Sequence, residues 1–295
     1  MTRQTILITG CSSGFGRCTA LDLARRGWHV FATVRKEADS ASLLEEAEQQ
    51  RCRNNITPFL CDITQREQVE KLRDDIKEIL QAEQQSASRG ETPRLDALLN
   101  NAGTAYGGPI EIMPLEDVRA QFEINVFAHV GVTQLFLPLL KAARGKIIFV
   151  SSVSGRISVP VTGVYSASKY ALEGLCDALR LELAPFGVRV SIIEPASSPT
   201  SIWKTSLQRS FEHLGAAKDS SPYARLLKMA EKSATQSSQT GFPVQKFSDT
   251  VVRILDSSHP WARYSVPFSA ALLILLRRFL HDLVWDCLIR LAMRW

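Results

Sequence analysis

Little in this 295-residue chain would let a metal ion or a disulfide framework organise it. The five histidines are scattered and form no ligand constellation, so no metal is expected. The six cysteines, at 11, 18, 52, 61, 176 and 287, contain no C-x-x-C pair and no even spacing. They read as reduced thiols of an intracellular protein. There is no dense basic run and no aromatic–basic alternation, which argues against nucleic acid as a partner. No internal repeat is visible. No secretory leader is seen either: the N-terminus enters an apolar strand almost at once, so a cytoplasmic location is expected. The longest uncharged run near the C-terminus stops at Arg277, too short to span a bilayer comfortably.

What is present is an ordinary globular balance, 45% hydrophobic, with a formal net charge of +5. A mildly basic chain suits a phosphate-bearing cofactor or an anionic membrane surface. The length suits one large domain over residues 1–265 with an appended segment over 266–295. Short apolar runs predict strands near 5–9, 29–34, 56–61, 95–100, 145–151, 188–194 and 263–266. Helical patterns fall between them, near 14–26, 40–51, 65–85, 115–140 and 165–185. That alternation implies an α/β fold, a doubly wound parallel sheet covered on both faces. Residues 84–93 read as a surface loop, and 196–247 break the rhythm with many Ser, Thr, Lys and Gln.

Three motifs carry chemistry. The strand Thr5–Thr9 runs into Gly10-Cys11-Ser12-Ser13-Gly14-Phe15-Gly16 and then an amphipathic helix. Glycines allow a tight turn and close approach of a ligand, and the free N–H groups of a helix start favour anionic oxygens. The spacing is G-x-x-x-G-x-G rather than the commoner G-x-G-x-x-G. Cys11 within this turn is a small filler, or else an alkylation-sensitive thiol. Second, Leu95–Leu99 runs into Asn100-Asn101-Ala102-Gly103, small residues that let a cofactor lie against backbone. Third, Ser152 ends the strand Lys146–Val150 and precedes Tyr165-Ser166-Ala167-Ser168-Lys169. Residues four apart share a helix face. A lysine ammonium near a phenol lowers a pKa normally about 10, and a phenol so tuned can exchange a proton with an alcohol or carbonyl oxygen.

Taken together in order, these pieces resemble the short-chain dehydrogenase/reductase family. The matching segments are Thr9–Gly16, Asp62, Asn100–Gly103, Asn125, Ser152, Tyr165–Lys169 and Glu194-Pro195, spread over roughly residues 5–200. The resemblance implies a nicotinamide-dependent oxidoreductase. It implies that Tyr165 is the general acid/base and that Lys169 lowers its pKa and binds the nicotinamide ribose. It implies that Ser152 orients the substrate oxygen and Asn125 holds a water linking Lys169 to solvent. Cofactor contacts are then expected from Gly10, Ser12, Ser13, Gly14, Phe15, Gly16, Arg35, Asp62, Ile63, Asn101, Ala102, Gly103, Tyr165, Lys169, Pro195 and Thr200. Residues 196–247 would be a substrate lid, with Trp203, Phe211, His213 and Tyr223 shaping the pocket or simply packing. Asp62 would touch adenine, or else serve as a helix N-cap ahead of Gln65.

The second strand ends in Phe31-Ala32-Thr33-Val34-Arg35-Lys36 with no acid, whereas a carboxylate there would bond the ribose hydroxyls of NAD and repel a 2′-phosphate. Arg35 can make charge-assisted bonds to phosphate, so NADP(H) is expected over NAD(H). One departure stands out. The family has Pro-Gly after the sixth strand, and this chain has Pro195-Ala196. If the backbone there needs positive φ, the loop is strained.

The C-terminal segment carries Leu276, Leu280, Leu283, Cys287 and Leu291 at helical spacing, with Arg277, Arg278, Arg290 and Arg294. That pattern suits a helix on a membrane surface, or one docked on its own core or a partner subunit. Within the family the chain looks most like the 17β-hydroxysteroid and retinol dehydrogenase branch, through Thr9–Gly14, Ala32–Arg35, Tyr106–Ile110 and the long C-terminus. The resemblance implies a lipophilic alcohol/carbonyl pair and a homo-oligomer built through the 115–140 and 165–185 helices. Alternatives are an acyl-thioester ketoreductase and a non-catalytic NADP(H)-binding sensor or scaffold.

Overall fold

The computed structural model describes residues 3–86, 92–199, 215 and 220–293. Seven strands form one sheet: β1 (Thr5–Ile8), β2 (His29–Val34), β3 (Ile56–Leu60), β4 (Ala97–Asn100), β5 (Lys146–Val150), β6 (Arg189–Pro195) and β7 (Arg263–Val266). Their order is β3-β2-β1-β4-β5-β6-β7, and every neighbouring pair is parallel. Parallel strands need crossovers, and helices supply them: α1 (Gly14–Arg25), α2 (Glu37–Gln49), α3 (Arg66–Ser86), α4 (Leu115–Phe122), α5 (Ala128–Ala143) and α6 (Gly163–Leu183). Further on come α7 (Ala224–Thr240), α8 (Val244–Asp256), α9 (Phe268–Phe279) and α10 (Asp282–Met293). The doubly wound α/β fold expected from the alternating pattern is the fold found.

Strand side chains alternate between two cores. On the front face Ile6, Ile8, Val30, Ala32 and Leu99 pack against Leu23 of α1, Leu43 of α2, and Phe247, Val251 and Ile254 of α8. On the back face Leu7, Phe31, Leu98, Ile147 and Phe149 meet Leu72 and Ile76 of α3, Val132, Phe136 and Leu140 of α5, and Leu172 of α6. The front core is assembled from the two ends of the chain. Phe15 stacks on Phe247 with ring centroids 4.2 Å apart, and the Ser248 hydroxyl donates to Asp22 at 2.7 Å across 226 residues.

Strand order reverses at β1, which has β2 on one side and β4 on the other. Loops leaving the carboxyl ends of β1 and β4 therefore diverge and leave a crevice, the usual ligand site of open α/β sheets.

Two expectations change. The single helix predicted over 115–140 is interrupted by a π-turn, Glu123–Phe127, which lies between α4 and α5 and contains Asn125. Such turns recur at functional sites because one extra residue re-aims a side chain. The whole run Leu115–Ala143 is long and apolar enough to cross a membrane by length and composition, yet its Val132, Phe136 and Leu140 are fully buried in the back core. The C-terminal stripe predicted on one helix is split, because Leu280 takes extended backbone and ends α9. Leu276 and Leu283 therefore sit on different helices. Of the expected lid, α7 is described, whereas Thr200, Trp203, Phe211 and His213 lie outside the described residues. Ala196 does not adopt positive φ, and its N–H donates to Val266 O at 2.7 Å, so the loop after β6 carries no strain at that position.

Truncating Phe136 at the centre of the back core, Phe136→Ala, is expected to cost about 3–5 kcal/mol of unfolding free energy with an unchanged denaturant slope. Urea titration followed by circular dichroism measures both.

Candidate active site

The crevice is a cleft of about 790 Å³ at the carboxyl ends of β1 to β6. Its floor depends on a close approach between the loops after β1 and β4. Gly10 has φ +74°, and a Cβ on it would fall 2.9 Å from Ala102 Cα. A Cβ on Gly16 would fall 2.3 Å from Gly10 O and 2.5 Å from Asn101 Nδ2. No other residue type fits either place. Polar bonds hold the two loops at that distance. Thr9 Oγ1 accepts the N–H groups of Asn101 (2.9 Å) and Ala102 (3.0 Å), and Asn101 Nδ2 donates to Thr9 O (2.8 Å) and Gly10 O (3.1 Å). Gly10 N–H donates to Thr33 Oγ1 at 3.1 Å and Cys11 N–H to Thr33 O at 2.8 Å, tying the same turn to β2.

Of the residues expected to meet a cofactor, Gly10, Ser12, Ser13, Gly14, Phe15, Arg35, Asp62, Ile63, Asn101, Ala102, Gly103, Tyr165, Lys169 and Pro195 line the cleft. Gly16 does not: it is buried beneath the turn and acts sterically. The Phe15 ring is stacked on Phe242 and Phe247, which ties the turn to the front core. Arg35 makes no hydrogen bond or ion pair among the described residues. Asp62 is locally engaged, its Oδ1 accepting from Thr64 N–H (3.0 Å) and Thr64 Oγ1 (2.8 Å); these bonds close a turn before α3 begins at Arg66, so the carboxylate is not the N-cap expected as its alternative role. Cys11 is fully buried, and burial pushes its thiol far above the usual range, so it is the filler rather than a reactive thiol. Among the described residues no three His, Cys, Asp or Glu side chains form a metal site.

Ser152, Tyr165 and Lys169 converge on the inner wall. Ser152 leaves β5 with extended backbone and its Oγ accepts Ser154 N–H at 3.1 Å, which fixes the hydroxyl. Tyr165 is buried near the start of α6. Burial raises its phenol pKa, and a hydrogen bond with the Ser152 hydroxyl pulls the other way. Lys169, one turn on, is also buried and donates Nζ to Val150 O at 2.8 Å. Burial pushes its ammonium down to about 8, against the pull of Glu173. The lowered phenol pKa expected from a Lys169–Tyr165 contact is thus not found: Lys169 Nζ donates to the Val150 carbonyl and lies 5.8 Å from the Tyr165 ring centre. Asn125 lies behind the wall rather than on it. Its Oδ1 accepts Thr104 N–H (2.9 Å), and its Nδ2 donates to Thr104 O (2.9 Å) and Ser168 Oγ (3.1 Å).

Several positioning residues escaped the sequence reading. Thr9 and Thr33 look like ordinary strand residues. Glu173 lies four residues after Lys169, a spacing that could have singled it out. Arg263 of β7 donates to Glu173 (2.9 Å) and Asp177 (2.7 Å), clamping α6 to the sheet edge. His129 is fully buried, and its Nε2 bonds Ala102 O at 2.8 Å. A carbonyl only accepts, so Nε2 carries the proton. Burial, helped by the Lys169 charge, pushes the imidazole down to about 3.

Comparison with known proteins agrees with this geometry. A family model described as short chain dehydrogenase matches residues 4–210. The NADPH-dependent 3-dehydrocapnine reductase of Ornithobacterium rhinotracheale is 32% identical, covering 97% of this chain and 98% of that one. The 3-ketodihydrosphingosine reductase of Bacteroides thetaiotaomicron is 33% identical over 90% and 88%. A solved short-chain dehydrogenase from Streptomyces avermitilis superposes with a TM-score of 0.74 at 25% identity, covering 94% of this chain and 92% of that one.

A folded-state pKa of about 3 for His129, against 6.5 unfolded, means the unfolded chain takes up the proton first as pH falls. Stability linked to this residue is complete above pH 6.5 and is lost between 6.5 and 3. The stability gap between wild type and His129→Gln should shrink by roughly 2 kcal/mol from pH 7 to pH 5. An unchanged gap in paired urea titrations would mean that His129 carries its proton inside the fold.

Proposed function

The chain belongs to the short-chain dehydrogenase family and is a nicotinamide-dependent oxidoreductase, and within that frame we propose that it interconverts a lipophilic carbonyl and its alcohol using NADP(H). The observation that carries the reading is the convergence of Ser152, Tyr165 and Lys169 at one end of a cleft whose other end is Arg35. The residues fit a dinucleotide. Two close-packed glycines and a helix start give a cradle for phosphates, and small side chains at Ala102 and Gly103 leave backbone open along the floor. The bound nicotinamide supplies or accepts the hydride.

The roles proposed are those the family resemblance implies, and the convergence of the side chains in the cleft supports them. Ser152 orients the substrate oxygen, and Tyr165 gives it a proton during reduction and takes one during oxidation. Lys169, with an ammonium easily deprotonated near neutral pH, is placed to bind the ribose and restore the phenol's proton. Swinging Nζ from Val150 O towards Tyr165 would produce the phenol-activating contact absent here. Asn125, buried in the π-turn, holds Thr104 and Ser168 and so fixes the wall between the cleft floor and α6. Pro195 borders the nicotinamide end, and Thr200 is proposed there from the resemblance alone.

NADP(H) is favoured because β2 ends without an acid and Arg35, which lines the cleft, has no hydrogen-bond or ion-pair partner among the described residues. Two nearly full-length relatives are named as an NADPH-dependent 3-dehydrocapnine reductase and a 3-ketodihydrosphingosine reductase, and the sphingoid ketone of the second supports a greasy substrate, steroid-like, retinoid-like or long-chain. No observation favours the acyl-thioester or sensor alternatives. The division into a catalytic domain over 1–265 and an apolar extension over 266–295 belongs to this reading. So does a homo-oligomer through the outer faces of α4–α6, where Leu115, Phe127, Tyr170, Leu175 and Leu181 are exposed.

Tyr165→Phe is expected to lower kcat by roughly 10²–10⁴ while leaving NADPH affinity nearly intact. NADPH consumption with a panel of lipophilic ketones and aldehydes, beside fluorescence titration of NADPH, reads both; loss of both together would mark Tyr165 as structural. Arg35→Asp should shift the NADPH/NADH ratio of kcat/KM towards NADH by roughly 10–100-fold, the worth of one charge-assisted contact. An unmoved ratio would remove Arg35 from cofactor selection.

A further inference from the structure

Helices α9 and α10 leave their apolar faces bare. On α9, Phe268, Leu272, Leu275 and Phe279 follow at helical spacing and all are at least half exposed, with Leu276 beside them. On α10, Leu283, Cys287 and Leu291 form the matching stripe, with Val284 and Leu288 alongside. The opposite faces are the anchored ones: Ala270 and Trp285 are buried, and Arg277 lies over the Trp285 ring and pairs with Asp282 at 2.6 Å. A pair of short helices with an outward stripe of leucine and phenylalanine is a patch that water does not favour.

Two observations point to what covers it. The first is charge and size. Arg278 and Arg290, both exposed, flank the stripes without a protein partner among the described residues, and their long stems allow the guanidinium to reach phosphate while the leucines stay buried. Each helix has twelve residues, about 18 Å, too short to cross a bilayer and long enough to lie in its surface. The second is continuity with the cleft. Met293, at the end of α10, packs against Val161, Leu226 and Leu227 and is itself a lining residue of the cleft. Val161 belongs to the loop that leads into α6, so the bare surface and the reaction site share one wall.

We propose that α9 and α10 seat the protein on an anionic lipid surface with the cleft opening beside that seat, so that a substrate dissolved in the lipid enters past Met293. The route rests on the lipophilic-substrate reading above; the seat does not.

The test uses the full chain with phosphatidylcholine vesicles, with and without phosphatidylserine. Wild type should cosediment with the mixed vesicles, less with phosphatidylcholine alone and less at high salt. The double variant Leu272→Glu, Leu275→Glu should partition at least roughly tenfold less, since each leucine contributes by burial in lipid, while keeping the wild-type melting temperature and NADPH affinity. Arg278→Glu should lose mainly the salt-sensitive part. Wild type remaining in the supernatant, or a double variant that binds as well, overturns the seat. A wild-type dimer that the double variant turns into monomer, with no vesicle binding, also overturns it and assigns the face to a second copy. For the route, the double variant should lose at least roughly fivefold in kcat/KM for a vesicle-borne ketone and nothing for a short soluble one; equal losses overturn the route. Vesicle binding requires no turnover, so a protein that seats but reduces nothing refutes the catalytic reading alone, and one that reduces soluble ketones but does not seat refutes this proposal alone.

Discussion

The close approach of the β1 and β4 loops is the constraint on which the rest of the structure depends. Parallel strands β1 and β4 are neighbours, but their crossovers leave in opposite directions, and the crevice between them has a usable floor only if the two turns touch. Gly10 and Gly16 make the contact sterically possible, and Thr9 and Asn101 hold it with four hydrogen bonds. These bonds satisfy backbone groups that would otherwise be buried without partners once a ligand covers the turn. Every later feature takes its position from that floor: the rim at Arg35, the wall at Ser152, and the helix that carries Tyr165 and Lys169.

From the wall back to the sheet edge runs a set of charges whose inner members, Lys169, Glu173 and Glu194, are buried, while Arg263, Arg156 and Asp177 are partly open to water. Lys169 and Glu173 sit one turn apart on α6, both buried, and burial drives each towards its neutral form. Arg263 counters this at Glu173 and Asp177, and Arg156 approaches Glu173 and Glu194 at 3.9 Å. The arrangement keeps the ammonium of Lys169 weakly held, which suits a group that must release and regain a proton. Neutral His129 is the other half of this design: a second cation close to Lys169 would repel it, and burial removes that charge while leaving the N–H that supports Ala102.

The strand and helix order was legible because both sheet faces are covered, so each strand is a short apolar run punctuated by glycine, proline or polar turns. The glycine turn, the Asn-Asn-Ala-Gly segment and the Tyr-x-x-x-Lys pair were legible because their chemistry needs fixed residue types at fixed spacing. What remained hidden depends on contacts between distant segments. Thr9 and Thr33 gain their roles only once three strands align. His129 meets Ala102 only after α5 folds behind β4. The π-turn at Asn125 leaves the apolar periodicity of 115–143 nearly intact, so nothing in the pattern announces it. The direction of the Tyr165 shift was misread because helix spacing puts Lys169 on the right face but does not say which acceptor its ammonium chooses.

The front core joins Phe15 to Phe247 and Asp22 to Ser248, the latter pair 226 positions apart along the chain and the former slightly more. During synthesis α1 therefore leaves the ribosome with an apolar face whose cover has not yet been translated, and the cofactor turn at its start stays unsupported for most of that time. Pairings this remote in sequence form late. Until α8 arrives the nascent chain is a half-clad sheet, dependent on chaperones and open to misassembly with its neighbours on the same message.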